Sequence, residues 1–313
     1  MRREMDWVIL AGTVGHEVPW TRGLPRPLLP LPQATLLDAL MHKFRNSSPG
    51  SCTICANGHT ELYTNYVLGE GRPDHGVGFF EDSIPRGPAG CLKACENRLT
   101  GAPILVIGGS VWLDDQPERM LAQHRAAGNT LTVFCTQEKN ITPSRSAALL
   151  KPAGVYCCEP EVLSYIQPEG YQDLKEQLIP ALQRSGRRVG AVALIEETCE
   201  VSDWPTYLRV LQQVLSSERF DTADYRQLAK DIWVGRDADI ADSARLVGPV
   251  VIGHRCTLGA GTAVVGPAII GDDCRIGEDS WLIRVVLPNE LHCPDGTSII
   301  DQLVPPVAPE PVG

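Results

Sequence analysis

The sequence predicts an α/β domain with a mostly parallel sheet over residues 1–228, a left-handed parallel β-helix over 229–290, and a proline-rich tail over 291–313. Three observations predict it. Strand-sized apolar runs alternate with helix-period stretches through the first two thirds of the chain. From Val234 onward an aliphatic side chain recurs every six residues. From Pro288 the chain is rich in proline and ends Pro-Pro-Val-Ala-Pro-Glu-Pro-Val-Gly, an extended tail.

The elements follow in order. Asp6–Ala11 reads as a buried first strand that runs into a glycine-containing loop. Gln33–Phe44 sets Leu36, Leu37, Leu40, Met41 and Phe44 on one helical face. Strand-like runs recur at 52–56, 76–80, 103–107, 130–135, 154–157 and 188–195. Helical patterns lie between several of them, at 89–99, 117–127, 171–183 and 205–215. Such alternation gives a mostly parallel sheet with helices on both faces. Ligands of these sheets bind at the carboxyl ends of the strands, so the loop after the first strand is the place for a site.

The six-residue period runs through Val234, Ile240, Leu246, Ile252, Leu258, Val264, Ile270, Ile276 and Leu282 without an insertion. Four positions after each stands a small or modest side chain, such as Ala244, Cys256, Thr262, Cys274 and Ser280. Six residues per flat face and three faces per coil make a triangular prism with the aliphatics stacked inside. The run resembles the hexapeptide-repeat family, and it counts out three coils. So short a solenoid leaves open ends and needs a cap and a partner. Many hexapeptide proteins are acyltransferases with a histidine near an excursion from the coil. Here no excursion interrupts the repeat. His254 points outward and His292 lies beyond it, so both read as surface residues.

The length, 313 residues, favours two domains, and 43% hydrophobic with 21% charged residues is an ordinary globular composition. A net charge of −10 disfavours nucleic acid and anionic membrane as partners. No apolar run reaches the ~18 residues that span a bilayer, and the first, Trp7–Ala11, is strand-sized. The expectation is a cytoplasmic chain. Its eleven cysteines are then thiols rather than disulfides. Cys52-x2-Cys55 and Cys91-x3-Cys95 have zinc-like spacing, but a strand turns residues three apart to opposite faces, and a helical turn suits Cys91 and Cys95 for packing.

From Leu10 to Leu31 the chain reads L-A-G-T-V-G-H-E-V-P-W-T-R-G-L-P-R-P-L-L-P-L. This resembles the opening of the sugar-1-phosphate nucleotidylyltransferases, L-A-G-G-x-G-T-R-L-x-P-L-T-x-x-x-P-K-P-L-L-P-V. Glu81–Leu92 resembles the family's E-x-x-P-x-G-T-A-G-A-L, Ile104–Asp114 its F-L-V-x-N-G-D-V-L-x-D, Gly154-Val-Tyr its A-G-I-Y, and Glu200–Arg209 its D-I-G-T-P-E-D-Y-L-R. Several members also carry a C-terminal left-handed β-helix. The resemblance implies a Rossmann-like, GT-A-like nucleotidyltransferase fold. It implies nucleotide binding by Leu10, Ala11, Gly12, Gly15, Gly87 and Gly90, and sugar binding at Gly154. It assigns catalytic charge to Arg26 and Arg22, a metal carboxylate to Glu200, and Mg²⁺ as cofactor if the chain is active.

The reaction joins a sugar-1-phosphate oxygen to the α-phosphorus of a nucleoside triphosphate, and it relies on positioning and charge neutralisation. Here the motif's arginine is Glu17, its lysine is Arg26 and its metal aspartate is Ser110. One charge pair at ~4 Å is worth about 4 kcal/mol at an effective dielectric of about 20, so reversing a sign there is costly. A neutral hydroxyl is a poor Mg²⁺ ligand. Asp114 and Asp115 follow, and Glu138-Lys139 or Lys151-Pro152 stands for the family's E-K-P segment. The reading is a chain that binds a nucleotide or nucleotide-sugar with weak or absent catalysis, a pseudoenzyme serving as a regulatory or scaffold subunit. It would associate as a homo-oligomer or with an active paralogue. The alternative is an active nucleotidylyltransferase with a site rebuilt on Arg22, Arg26, Asp114 or Asp115, and Glu200.

Overall fold

A computed structural model describes residues 5–12, 19–47, 49–56, 63–64, 77–137, 150–195, 197–216 and 223–305. By packing the chain divides into two units. One comprises 1–16 and 36–200, the other 17–35 and 201–313. The sequence places a single boundary near residue 228. The packing division instead assigns 17–35 and 201–228 to the C-terminal unit.

The first unit is built on β1 (Met5–Leu10), β2 (Pro49–Ala56), β3 (Val77–Glu81), β4 (Ile104–Gly108), β5 (Val111–Trp112), β6 (Leu131–Gln137), β7 (Leu150–Cys158), β8 (Val189–Ala193) and β9 (Cys199–Glu200). Seven of these form one sheet in the order β8-β6-β7-β4-β1-β2-β3. All neighbours are parallel except β7, which runs antiparallel to both β4 and β6. The predicted α/β class holds. Val8, Ile9, Ile54, Val106 and Ile107 are fully buried, as expected of strands covered on both faces. Helices α1 (Leu36–Asn46), α2 (Gly87–Ala94), α3 (Pro117–Ala127) and α4 (Ile179–Arg184) flank the sheet. The predicted helical face of α1 is buried, and Phe44 meets Trp7 edge-on with ring centroids 5.7 Å apart.

The helix expected at 171–183 begins later. Asp173 Oδ1 accepts from the backbone N–H groups of Lys175 and Glu176, so the chain enters a π-turn at Leu174–Leu178 before α4. An aspartate cap of this kind sets a helix start more sharply than apolar period does. Pro180, which has no N–H to give, stands at the start of α4.

In the second unit α5 (Trp204–Leu215) precedes a three-faced parallel β-helix. Ile232–Gly235, Val250–Ile252, Ala268–Ile270 and the end of Trp281–Leu287 stack on the first face. Asp239–Ile240, Thr257–Leu258, Arg275–Ile276 and His292–Cys293 stack on the second. Arg245–Val247, Ala263–Val265, the start of Trp281–Leu287 and Ser298–Leu303 stack on the third. The aliphatics named by the period point inward, half-buried at Ile240 and Leu246 and buried from Ile252 to Leu282, and Cys256, Thr262, Cys274 and Ser280 are buried with them.

The sequence counts three coils and a tail from residue 291, whereas the structure shows four coils, reaching Leu303. The reason is a dropped residue. Ile252 pairs with Ile270, eighteen on, but Ile270 pairs with Leu287, only seventeen on. The last coil therefore falls out of the hexad phase while keeping its backbone pairing. Of the predicted tail, residues 306–313 lie outside the described residues.

The outward sides of the faces differ. On the first, Val251, Ile269 and Val286 are buried, and Val251 packs with Leu215 of α5. On the third, the outward Val247, Trp281 and Ile300 are each about half exposed, at 54%, 56% and 51%.

Candidate functional site

Of the candidate residues, Leu10, Ala11 and Gly12 lie at the carboxyl end of β1 and Ser110 just past the carboxyl end of β4. Leu10 accepts a hydrogen bond from Gly109 N–H at 2.8 Å. Ala11 N–H donates to Cys55 C=O at 2.8 Å, and its carbonyl accepts from Tyr63 Oη at 3.1 Å. Gly12 follows, exposed. The start of the first loop is thus fastened to β2 on one side and to the end of β4 on the other. Gly15, His16 and Glu17 lie outside the described residues.

Ser110 is buried beside this loop start, just before β5. β5 pairs antiparallel with β9, which sets Glu200 opposite Val111. Gly154, in β7, adopts φ +77. A side chain added there would meet Val111 Cγ2 at 2.9 Å and lie 3.8 Å from Glu200 Oε2. Glycine is required at 154 on both counts. Three residues taken from separate motifs, Ser110, Gly154 and Glu200, therefore share one neighbourhood. Close by, burial first, then the Asp173 and Glu200 carboxylates, push the Tyr156 phenol up to about 12, so it stays protonated.

The second glycine loop is held by the chain itself. Asp82, which the sequence reading missed, is buried after β3 and accepts from Arg86 N–H at 3.0 Å. Its only sequence signal is its place at a strand end, ahead of Pro85-Arg86-Gly87. Gly87 adopts φ +73, and a side chain there would run into Gln172 C=O at 2.5 Å. That same carbonyl accepts from Ala89 N–H at 3.0 Å and Gly90 N–H at 3.3 Å. The geometry at Gly87 thus answers first to the 172 segment, whatever it also does for a ligand.

The backbones of Asp114 and Asp115, and the carboxylate of Asp115, are committed to structure. Their backbone N–H groups donate to Thr198 Oγ1, and Lys43 Nζ donates to both of their carbonyls. The Asp115 carboxylate is fully buried, accepts from Gln116 N–H at the start of α3, and pairs with Arg119 at 2.5 Å. Lys151 lies exposed on β7 with Pro152 beside it, while Glu138 and Lys139 fall outside the described residues.

Arg22 and Arg26 lie in the 17–35 segment of the second unit. Arg26 opens a short 3-10 turn. Arg22 has φ +50, and with the Gln302 amide oxygen turned toward it, that oxygen accepts from Arg22 Nε at 3.2 Å and Nη1 at 3.0 Å. Trp20 of this segment stacks with Trp204 and Tyr207 of α5 at 5.8 and 5.7 Å, and Tyr207 Oη donates to Pro30 C=O. His254 serves the β-helix: its Nδ1 accepts from Arg236 N–H at 2.9 Å, and its ring packs 5.0 Å from Tyr225. His292 is exposed.

Mg²⁺ prefers several hard oxygen ligands. Around Gly154 the described residues bring together the Glu200 carboxylate and, through β5, the Ser110 hydroxyl. Among the described residues no group of three or more His, Cys, Asp or Glu side chains is placed to hold a metal. A serine hydroxyl with one carboxylate is a weaker donor set for Mg²⁺ than two carboxylates. Among the described residues no helix is long and apolar enough to cross a membrane.

Residues 7–145 match the Nucleotidyl transferase family, and residues 249–284 match Bacterial transferase hexapeptide (six repeats). A UTP-glucose-1-phosphate uridylyltransferase of Synechocystis sp. is 25% identical over 249 residues, 68% of this chain. The chain covers 64% of that relative's length, under two thirds. Among solved structures, HddC from Yersinia pseudotuberculosis complexed with GMP-PN aligns with a TM-score of 0.57 and 14% identity, over 66% of this chain and 98% of that one. HddC without that ligand aligns at 0.55 and 12%, with the same coverage. At these identities the likeness to the solved structures is one of fold.

Proposed function

On the premise that the chain joins a nucleotidyl transferase domain to bacterial transferase hexapeptide repeats, we propose that it binds a nucleotide or nucleotide-sugar at the carboxyl ends of β1 and β4 and turns it over weakly or not at all. One observation carries this reading: the carboxylate that the family motif places after β4 is Ser110, buried beside a loop start held by Cys55, Tyr63 and Gly109, with the Glu200 carboxylate beside Gly154.

The residues' own work is binding and orientation. Leu10, Ala11 and Gly12 set the start of the first loop at the strand ends, where backbone N–H groups favour phosphate. Gly154 keeps a hydrogen where a side chain would crowd a sugar against Glu200. Glu200 accepts hydroxyl protons of a sugar as a hydrogen-bond partner. Arg22 and Arg26 supply positive charge if the 17–35 segment is engaged by phosphate, and for Arg22 the Gln302 amide competes for that role.

The retained pair Gly154 and Glu200 favours the second reading, an active sugar-1-phosphate nucleotidylyltransferase. Pyrophosphate release with UTP, dTTP or GTP and a panel of sugar-1-phosphates separates the two. The weak-catalysis reading expects metal-independent binding with negligible release. Turnover that survives Glu17→Ala and disappears in Arg26→Ala overturns it. Ser110→Asp is expected to make nucleotide binding Mg²⁺-dependent.

Self-association is the partner role proposed for the third face of the β-helix. Val247, Val265, Ile283 and Ile300 form an outward ladder at coil spacing, so the same ladder on a second copy meets it step for step. Light scattering of the full chain expects a mass above one chain, lowered by Trp281→Glu. A single-chain mass for the unaltered protein refutes the role.

A further inference from the structure

We infer that Cys55, Cys91 and Cys95 form a thiol-oxidation site that reacts with a hydroperoxide and reports to the first glycine loop. Cys55 ends β2, while Cys91 and Cys95 lie one helical turn apart, in α2 and at its C-cap. Cys55 Sγ and Cys95 Sγ lie 3.3 Å apart, and the neighbouring Cys91 thiol adds to the upward push on Cys55. Cys91 Sγ donates to Asp82 Oδ2 at 3.4 Å. The three differ in access: Cys91 is 9% exposed, Cys55 2% and Cys95 0%. Their states differ too. The hydrogen bond from Cys55 holds the Cys95 thiol below its ordinary value against the effect of burial, with Arg98 helping. Hydrogen bonds to Cys91 and Cys95, and then burial, push Cys55 up. Cys95 is thereby the better nucleophile toward a Cys55 disulfide, while the Asp82 carboxylate stands as the proton acceptor for Cys91, the most accessible of the three thiols.

The chemistry balances. Cys91 sulfur attacks one peroxide oxygen and the O–O bond breaks. The thiol proton passes by way of Asp82 to the departing oxygen, leaving water and a Cys91 sulfenic acid. Cys55 sulfur displaces that hydroxyl, so an S–S bond forms, the S–O bond breaks and a second water leaves. Cys95 then attacks Cys55, the disulfide passes to Cys55–Cys95, and Cys91 recovers its proton. Two thiols have lost two electrons and two protons, and hydrogen peroxide has become two waters.

The link to the loop is short. Cys55 C=O accepts the Ala11 N–H. Closing the sulfurs from 3.3 Å to a disulfide's ~2.05 Å draws the end of β2 toward the end of α2, and with it the strand end that anchors Ala11.

The test uses the full reduced chain, one equivalent of hydrogen peroxide, alkylation of the remaining thiols, and peptide mass mapping. The expected product is a Cys55–Cys95 cross-link, preceded by Cys55–Cys91 and reversed by dithiothreitol. Cys256 and Cys274, a contacting thiol pair inside the β-helix, serve as the control and are expected to stay reduced. Cys95→Ser is expected to stop at Cys55–Cys91. Cys91→Ser and Cys91→Ala are each expected to slow cross-linking about tenfold or more. No linkage among the three, equal linkage of Cys256–Cys274, or an unchanged rate in both Cys91 variants overturns the site.

The coupling rests on the nucleotide-binding reading. Titration with UTP, dTTP and GTP before and after oxidation is expected to show affinity falling about fivefold and returning on reduction. Equal affinity of both forms overturns the coupling alone. A reduced chain that binds none of the three removes the nucleotide reading and the coupling, while the oxidation site still stands or falls on the mapping.

Discussion

The β-helix and the parallel sheet both rely on close backbone approach, but they arrange it differently. In the β-helix each residue's neighbour is its equivalent one coil on. A side chain at Gly253 would meet Gly271 C at 2.6 Å and Asp272 N at 2.7 Å. In the sheet the neighbours are unrelated in sequence: Leu10 meets Gly109, and Gly154 meets Val111 and Glu200. The repeat makes every position answerable to one local rule. The site exists only where distant segments converge, and it tolerates no general rule.

The largest test of that contrast is Gly253→Ala. Backbone on the facing coil cannot retreat without moving the stack, so we expect a loss of about 3 kcal/mol in denaturant unfolding of the full chain. Gly12→Ala, at the exposed loop start, is expected to change stability by less than about 0.5 kcal/mol while weakening nucleotide binding. Equal destabilisation by the two substitutions breaks the comparison.

Asp6 comes next. It is fully buried and accepts from the backbone N–H and hydroxyl of both Ser51 and Thr100, so one carboxylate ties β1 to two distant segments. Asp6→Ala orphans those donors and is expected to cost about 2 kcal/mol in the same unfolding experiment. No loss there would mean that the sheet, too, is held mainly by local rules.

His124 sharpens the contrast through pH. Its ring is fully buried, with Nδ1 2.8 Å from Thr132 Oγ1 and Nε2 3.3 Å from Glu159 Oε1. Burial lowers its pKa from the ordinary 6.5, and Glu159 opposes that only in part. The unfolded chain therefore binds more protons below 6.5, so this contribution is intact above that pH and is lost as pH falls through it. The melting temperature is expected to drop from about pH 7.5 to about pH 5.5, with a shallower slope in His124→Gln.

The smallest effect belongs to the β-helix surface. Arg255 and Asp273 pair at 2.6 Å across one coil, both exposed, and each holds the other's charged state. Arg255→Ala is expected to leave the melting temperature unchanged within error, because exposed pairs contribute little. A clear drop would show that the corner ion pairs matter as much as the stacked interior.

Much of the fold was legible. The inward aliphatics from Val234 to Leu282, the strand at Asp6–Ala11 and the helix at Pro117–Ala127 follow from period and composition. The fourth coil was not, because one missing residue shifts phase without disturbing hydrogen bonding. Arg22 reads as phosphate-binding charge in sequence, yet in the fold the Gln302 amide faces it and, with its oxygen turned toward the guanidinium, accepts from it. Asp115 reads as a spare metal ligand, but Arg119 and the Gln116 N–H hold its carboxylate, while Thr198 and Lys43 hold the backbone of both Asp114 and Asp115.

The two architectures and most positions that fill the prism follow from the chain's own pattern, because burial of a periodic apolar pattern needs no information beyond the period. Which polar groups meet depends instead on how the folded elements pack. It set Ser110, Gly154 and Glu200 together, spent Asp115 on Arg119, and brought Cys55 against Cys95. Those pairings join residues far apart in the chain through hydrogen bonds whose distances come from the packing of whole elements, and no local pattern encodes them.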